Sequence, residues 1–251
     1  MSSEIMERRG FQSLVIRTLD IILSVIGLLI TAPFFPVIAV LIKLNSRGPI
    51  IYPAERVGLG MKIFPMYKFR TMMDRAAAID QNICPQYDPR VTTIGRFLRR
   101  TKLNELPQLF NILKGDMSFV GPRPEARDLA EMYPEEAKKI FSVKPGLVGP
   151  AAISTFRGGI NGRNEEELYP KGVDPKQYYL EHILPEKVKI DLYHLSRQTL
   201  GAYFKIIIGA VKVTVFGALS TRQPDHSKRQ IYLFIADFVL SQISYAVAYL
   251  V

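Results

Sequence analysis

LNELPQLFNILKGDMSFVGPRPE, residues Leu103 to Glu125, joins a short helical pattern to a proline-rich loop, and the other segments are read relative to it. Asn104 is a good N-cap, and Pro107 falls in the first turn, where a missing N–H costs little, so the spacing predicts a helix beginning at Asn104. Leu106, Leu109, Phe110 and Leu113 recur at i, i+3, i+4 and i+7 and predict one buried face, with Glu105 and Gln108 kept off it. Lys114 and Gly115 supply a cationic last turn and a stop. A carboxylate at Glu105 would sit at the positive end of the helix dipole, where phosphates are also welcome. In the loop that follows, Asp116, Ser118 and Arg123 lie among glycines and prolines. Pro122 and Pro124 flank the arginine and restrict its backbone, so its guanidinium is expected to be held in one direction.

The 251 residues carry a net charge of +10, which points to an anionic partner: nucleic acid, anionic lipid or a sugar nucleotide. No zinc-finger spacing, RNP motif or basic zipper is present, so nucleic acid is set aside and a membrane surface favoured. Cys84 is the single cysteine, which excludes an intrachain disulfide and suits a reducing, cytoplasmic setting. His182, His194 and His226 have no metal-ligand spacing.

Between Leu19 and Leu44 the chain is almost wholly apolar, with Pro33 and Pro36 in its middle. Each proline deletes a helical hydrogen bond, so a bend is expected there, with each arm too short to cross a bilayer of about 20 residues' depth alone. Arg8, Arg9 and Arg17 flank one end, Lys43 and Arg47 the other, and the positive-inside tendency would keep both flanks cytoplasmic. A re-entrant hairpin satisfies both facts; an ordinary kinked transmembrane helix is the alternative. IIYPAERVG and KIFPMYKFRTM read as short strands carrying Arg56, Lys68 and Arg70, either as a solvated strand face or as cations that neutralise phosphates. IGRFLRRTK and the segment from Pro185 to Val213 read as basic amphipathic helices suited to an interface. The expected fold is α/β and mostly helical: a membrane-embedded re-entrant helix hairpin (1–48), a small cytoplasmic catalytic domain with interfacial amphipathic helices (49–220), and a linker with the start of a further membrane helix (221–251). That last apolar run breaks off at Val251 without a polar anchor, so a longer or fused protein is expected.

Three motifs, KFRTM (Lys68 to Met72), ELPQLFNILKGDMSFVGPRP (Glu105 to Pro124) and KPGLVGPA (Lys144 to Ala151), resemble those of the monotopic phosphoglycosyl transferases, or bacterial sugar transferases, over roughly Arg17 to Lys212. The resemblance implies transfer of a phosphosugar from a nucleoside diphosphate sugar, a UDP-sugar, to polyprenyl phosphate at the cytoplasmic face of the bacterial inner membrane. That step initiates glycan assembly. It also implies Mg2+ and an Asp-Glu dyad whose Asp is covalently phosphorylated by the sugar phosphate. The dyad maps onto Asn104 and Glu105, with Glu105 as a metal ligand and Arg70 and Arg123 as phosphate-binding residues. Membrane phospholipid is an expected partner, as is a fused or associated sugar-nucleotide-modifying membrane enzyme, because Ile231 to Val251 is similar to the first membrane helix of sugar-nucleotide dehydratases. Asn104 departs from the pattern: a neutral carboxamide is a poor nucleophile and a weak magnesium ligand. Three readings stay open: catalysis with an altered dyad, an introduced substitution, or a non-catalytic relative that binds without reacting. The rival of another class is a membrane-anchored scaffold.

Overall fold

The computed structural model describes residues 3–73, 89–154, 173–197 and 199–219. The linker after Asp74, the glycine-rich stretch from Arg157 to Glu167, Cys84, His226 and the second apolar run lie outside the described residues. The described chain is mostly helical, with two small two-stranded sheets.

Helix α1 runs from Ser3 to Thr31, and α2 from Phe34 to Asn45. The break falls at Ala32 and Pro33, as the prolines predict, and Pro36 is absorbed in the first turn of α2. The expected length of the first arm is corrected. Its apolar part, Gly10–Thr31, has 22 residues and is long and apolar enough to cross a membrane, whereas α2 is shorter. The helix reaches upstream of Leu19 because the charges at the start of the apolar run, Arg17 before it and Asp20 within it, find partners within the protein. Arg17 donates to the carbonyls of Ile112 and Leu113 at 2.6 and 2.7 Å, and the Asp20 carboxylate accepts from Ser118 Oγ, Phe119 N and Tyr203 Oη. Ser24 and Gly27 continue this stripe, with Gly27 packed on Leu109. On the other faces Phe11, Leu14, Ile22, Val25, Ile26 and Leu29 are exposed, Leu29 to 71%. Full burial of a side chain of this kind is worth about 1.5–3 kcal/mol, and part of that is forgone at each position in water, so this surface calls for an apolar surrounding.

Strand β1 (Ile51–Val57) pairs antiparallel with β2 (Ile63–Phe69), in register from Ile51 with Phe69 to Val57 with Ile63. Helix α3 (Thr93–Arg100) is capped by Thr92, whose hydroxyl accepts from Gly95 N at 2.9 Å. Gly95 lies so close to Thr71 that a Cβ would come within 2.0 Å of the Thr71 carbonyl oxygen, which fixes the end of KFRTM against α3. A 3-10 turn, Leu103–Glu105, precedes helix α4 (Gln108–Lys114). Strand β3 (Ser118–Val120) pairs in parallel with β4 (Gly146–Val148). Between them lie α5 (Arg127–Glu131) and a 3-10 turn, Ala137–Ser142. Helices α6 (Pro150–Ser154) and α7 (Pro175–Tyr178), a π-helical turn (Tyr179–Ile183), α8 (Leu184–Ser196) and α9 (Leu200–Leu219) complete the described chain. The single helical pattern expected after Pro185 is thus two helices, because Arg197 leaves helical geometry at φ −124 and ψ 36.

Two expectations for the central stretch are corrected. The Asn104 side chain caps no helix. Lys102 takes a left-handed φ of 60, the chain makes a 3-10 turn through Asn104, and Pro107 occupies the N-cap position of α4. Because α4 starts later, its buried set is Gln108, Leu109, Asn111 and Ile112, while Phe110 is 47% exposed. Asn111 faces inward because its carboxamide copies a strand edge: Oδ1 accepts from Tyr67 N at 2.9 Å and Nδ2 donates to Pro65 O at 2.8 Å, pinning β2 to α4.

Candidate active site

The 3-10 turn carries Glu105 and the loop after β3 carries Arg123, and the structure brings them together. Arg123 Nη2 donates to Glu105 Oε1 at 2.9 Å, and Nη1 lies 3.4 Å from Oε2, a fork facing a carboxylate. Backbone hydrogen bonds on both sides hold the loop: Gly146 N donates to Pro122 O at 2.9 Å, and Val57 N to Glu125 O at 2.8 Å. Pro122 and Pro124 stiffen what lies between, so Arg123 has little freedom.

The field around this pair is positive. Burial pushes the pKa of Glu105 up, but Arg123, Lys68 and Lys102 outweigh it and hold the carboxyl far below the usual range. Lys68, half-buried on β2, has its pKa brought down to about 7 by burial and by the neighbouring charge of Arg123. Asn104 is only 8% exposed, and its Oδ1 is buried without a hydrogen-bond partner. Gln108 Nε2, one turn on, is likewise buried without a partner. A shallow recess lined by Val57, Gly58, Pro122, Phe141 and Pro145 opens beside Arg123.

The other sequence candidates are placed as follows. Arg70 sends Nη2 to Ser46 O and Oγ at 2.7 and 3.0 Å, at the end of α2, while its Nε and Nη1 are buried without partners. Asp116 pairs with Lys114 at 3.2 Å within the turn, whereas Ser118 donates to Asp20 and ties β3 to α1. Lys68 is one of the three strand cations that the sequence offers for phosphates, with Arg56 and Arg70, whereas Lys102 reads only as part of a basic interfacial helix. Lys68 stands in the same motif as Arg70, but strand alternation does not tell which cation reaches the acid.

Farther along the same loop, Glu125 takes hydrogen bonds from Lys187 Nζ, Tyr133 Oη (3.0 Å) and Tyr179 Oη (2.9 Å) in a buried cluster. Nothing in the sequence signalled it, since Lys187 sits in an ordinary amphipathic helix pattern.

The model of the family described as "Bacterial sugar transferase" matches residues 11–217. The chain belongs to the bacterial sugar transferase family. Among the relatives of this sugar transferase is a Bacillus subtilis protein, provisionally named undecaprenyl-phosphate N-acetylgalactosaminyl 1-phosphate transferase, 49% identical over 120 residues, or 48% of this chain and 67% of that one. The undecaprenyl-phosphate glucose phosphotransferase of Komagataeibacter xylinus is 35% identical over 207 residues, covering 80% of this chain and 36% of the relative. The UDP-glucose:undecaprenyl-phosphate glucose-1-phosphate transferase of Escherichia coli is 39% identical over 188 residues, covering 73% of this chain and 39% of the relative. The sugar transferase thus spans well under half the length of these last two.

Proposed function

We propose that the chain transfers a sugar 1-phosphate from a nucleoside diphosphate sugar, a UDP-sugar, to polyprenyl phosphate at the cytoplasmic face of the bacterial inner membrane, the step that begins glycan assembly. The observation that carries this reading is Glu105 facing Arg123 within the field of Lys68 and Lys102. One carboxylate against several cations leaves positive charge for the phosphates of donor and acceptor. The names of the relatives supply the chemical class of both substrates.

The donor's phosphates draw the Arg123 guanidinium from Glu105, freeing the carboxylate to attack the phosphorus that bears the sugar. The bond from that phosphorus to the UMP oxygen breaks, and UMP leaves with the electron pair. An oxygen of polyprenyl phosphate then attacks the same phosphorus, releasing Glu105 and forming the lipid diphosphate sugar. Lys68 and Lys102 offset the charge on the phosphate oxygens, and the burial of Asn104 beside Glu105 limits water there.

The residues also fit Mg2+. Asn104 Oδ1 is an oxygen buried without a partner next to an ionised carboxylate, and this ion commonly takes one or two carboxylates with substrate oxygens completing its shell. Asn104 and Glu105 would hold it, and it would neutralise phosphate charge. Among the described residues no group of three or more His, Cys, Asp or Glu side chains adds to that set.

The membrane arm is proposed to be re-entrant. Both arms pack on the one domain: Arg17 of α1 holds the end of α4, and Asn45 and Ser46 at the end of α2 accept from Ile94 N and from Arg70. Two polar ends tied to one cytoplasmic domain fit a hairpin better than a crossing. Cysteines placed near Gly10 and at Ser46 should both be labelled by an impermeant thiol reagent from the cytoplasmic side only; labelling of one from outside overturns the hairpin.

The reaction is tested by following UMP release from UDP-sugars with polyprenyl phosphate and Mg2+, for the parent, Glu105→Gln and Asn104→Asp. Release by the parent, its loss in Glu105→Gln and a labelled enzyme intermediate in the parent are expected. Release only in Asn104→Asp would show that this chain has lost the reaction.

A further inference from the structure

The strongest buried polar cluster outside the site lies two residues from Arg123. Glu125 accepts from Lys187 Nζ, Tyr133 Oη and Tyr179 Oη, and Lys187 also donates to Tyr179 Oη at 3.1 Å. These groups come from three separate places: Tyr133 just after α5, Tyr179 from the π-helical turn, and Lys187 from α8. The π-helical turn matters, since widening the helix by one residue changes the direction of every side chain after it. It leaves Tyr179 and Lys187 aimed at the same carboxylate oxygen.

The backbone shows what this cluster holds. Before Arg123, Gly121 N donates to Val148 O and Gly146 N to Pro122 O. Gly121 and Gly146 touch so closely that a Cβ on Gly146 would fall 2.1 Å from Gly121 N, so that side of the loop cannot slide. After Arg123, the backbone of Glu125 bridges to Val57 of β1, and its side chain is the remaining anchor. With Pro122 and Pro124 inside those anchors, the bearing of Arg123 is set by where its two ends are fixed.

Resting on the phosphate-binding role proposed for Arg123, we propose that Glu125 is a positioning residue. Through Lys187, Tyr133 and Tyr179 it ties the proline-arginine-proline loop to α8 and the π-helical turn, and thereby holds the Arg123 guanidinium where it meets Glu105 in the free protein and the donor's phosphates once they are bound. Glu125 touches no substrate. Its effect reaches the reaction only through the arginine.

Two variants test this in the full chain in detergent micelles. Glu125→Gln takes from buried Lys187 the carboxylate it donates to, which threatens folding, so Glu125→Gln/Lys187→Gln is made beside it, neutral in both members. The probe is uridine diphosphate with Mg2+, its affinity measured by calorimetry. In the parent background the double variant should bind it about tenfold more weakly, since a guanidinium misplaced by about 1 Å loses its fork. In an Arg123→Ala background the same pair of changes should alter affinity by less than about twofold, because a residue acting through another adds nothing once that other is gone. Equal losses in the two backgrounds, or none in the parent, overturn the proposal. If the unaltered chain binds no uridine diphosphate, the proposed function fails by itself, and a crystal structure of the double variant decides the positioning. Arg123 displaced from Glu105 by about 1 Å or more upholds it, and a fork retained at its present distances overturns it.

Discussion

Glu105 and Glu125 are both acids that meet a cation, yet their surroundings differ. The Glu125 and Lys187 side chains are 9% and 10% exposed, and two tyrosine hydroxyls complete the shell. Glu105 and Arg123 are 13% and 28% exposed, more cations than acids lie around them, and the neighbouring Asn104 oxygen has no partner. A carboxylate oxygen met by an ammonium and two hydroxyls of the same chain holds a loop in place. Surplus positive charge with unmet polar atoms leaves room for an anion from outside the chain. One fold uses the same residue type for both purposes, twenty positions apart in sequence.

Substitutions can break this contrast or sharpen it. The largest effect is expected for Glu105→Gln, which should lower kcat/KM for UMP release about ten-thousand-fold while the thermal midpoint changes little. A large fall in midpoint would place Glu105 with Glu125 as a structural acid. Next, Glu125→Leu removes one member of an enclosed pair and strands Lys187, so urea titration should show about 3–5 kcal/mol of lost stability. Smaller again is Asn111→Leu, which deletes the bonds to Tyr67 N and Pro65 O; about 2–3 kcal/mol should be lost in the same titration, with weakened binding of the donor as β2 shifts.

The smallest effect is a pH dependence set by Lys68. Its folded pKa is lowered to about 7, so above that pH the unliganded protein has shed a proton that an anionic ligand needs back. Donor affinity should therefore fall as pH rises from 7 to 8, by at most about tenfold, and Lys68→Gln should flatten that slope. Stability moves the other way. Between about 7 and the ordinary lysine value of 10.5 the unfolded chain binds more protons, so stability gains from Lys68 as pH rises.

Part of the site was legible, since the prolines on both sides of Arg123 restrict its backbone locally. Its meeting with Glu105 rests on anchors at Val57 and Gly146, far off in the chain. What was not legible depends on distant partners. Asn104 satisfies every local rule for an N-cap, but the left-handed turn at Lys102 and Pro107 at the true N-cap put it inside a 3-10 turn. Arg17 reads as a flanking charge of the apolar run, and Asp20 inside that run carries no signal, since their partners, Ile112 O and Ser118, stand more than ninety residues away. Asn111 and Lys187 sit at positions where helix periodicity treats a polar residue as a surface residue. The bend at Pro33 could be foreseen, and the reach of the arm before it could not.

The hydrogen bonds of Arg17 and Asp20 give α1 a fixed compass bearing. A helix gripped at two successive turns cannot roll about its long axis, so the flank from which a long greasy substrate could glide toward Glu105 is decided by the protein rather than by its surroundings. A replacement helix of equal greasiness without those two residues would still adhere to lipid, but it would have lost its heading.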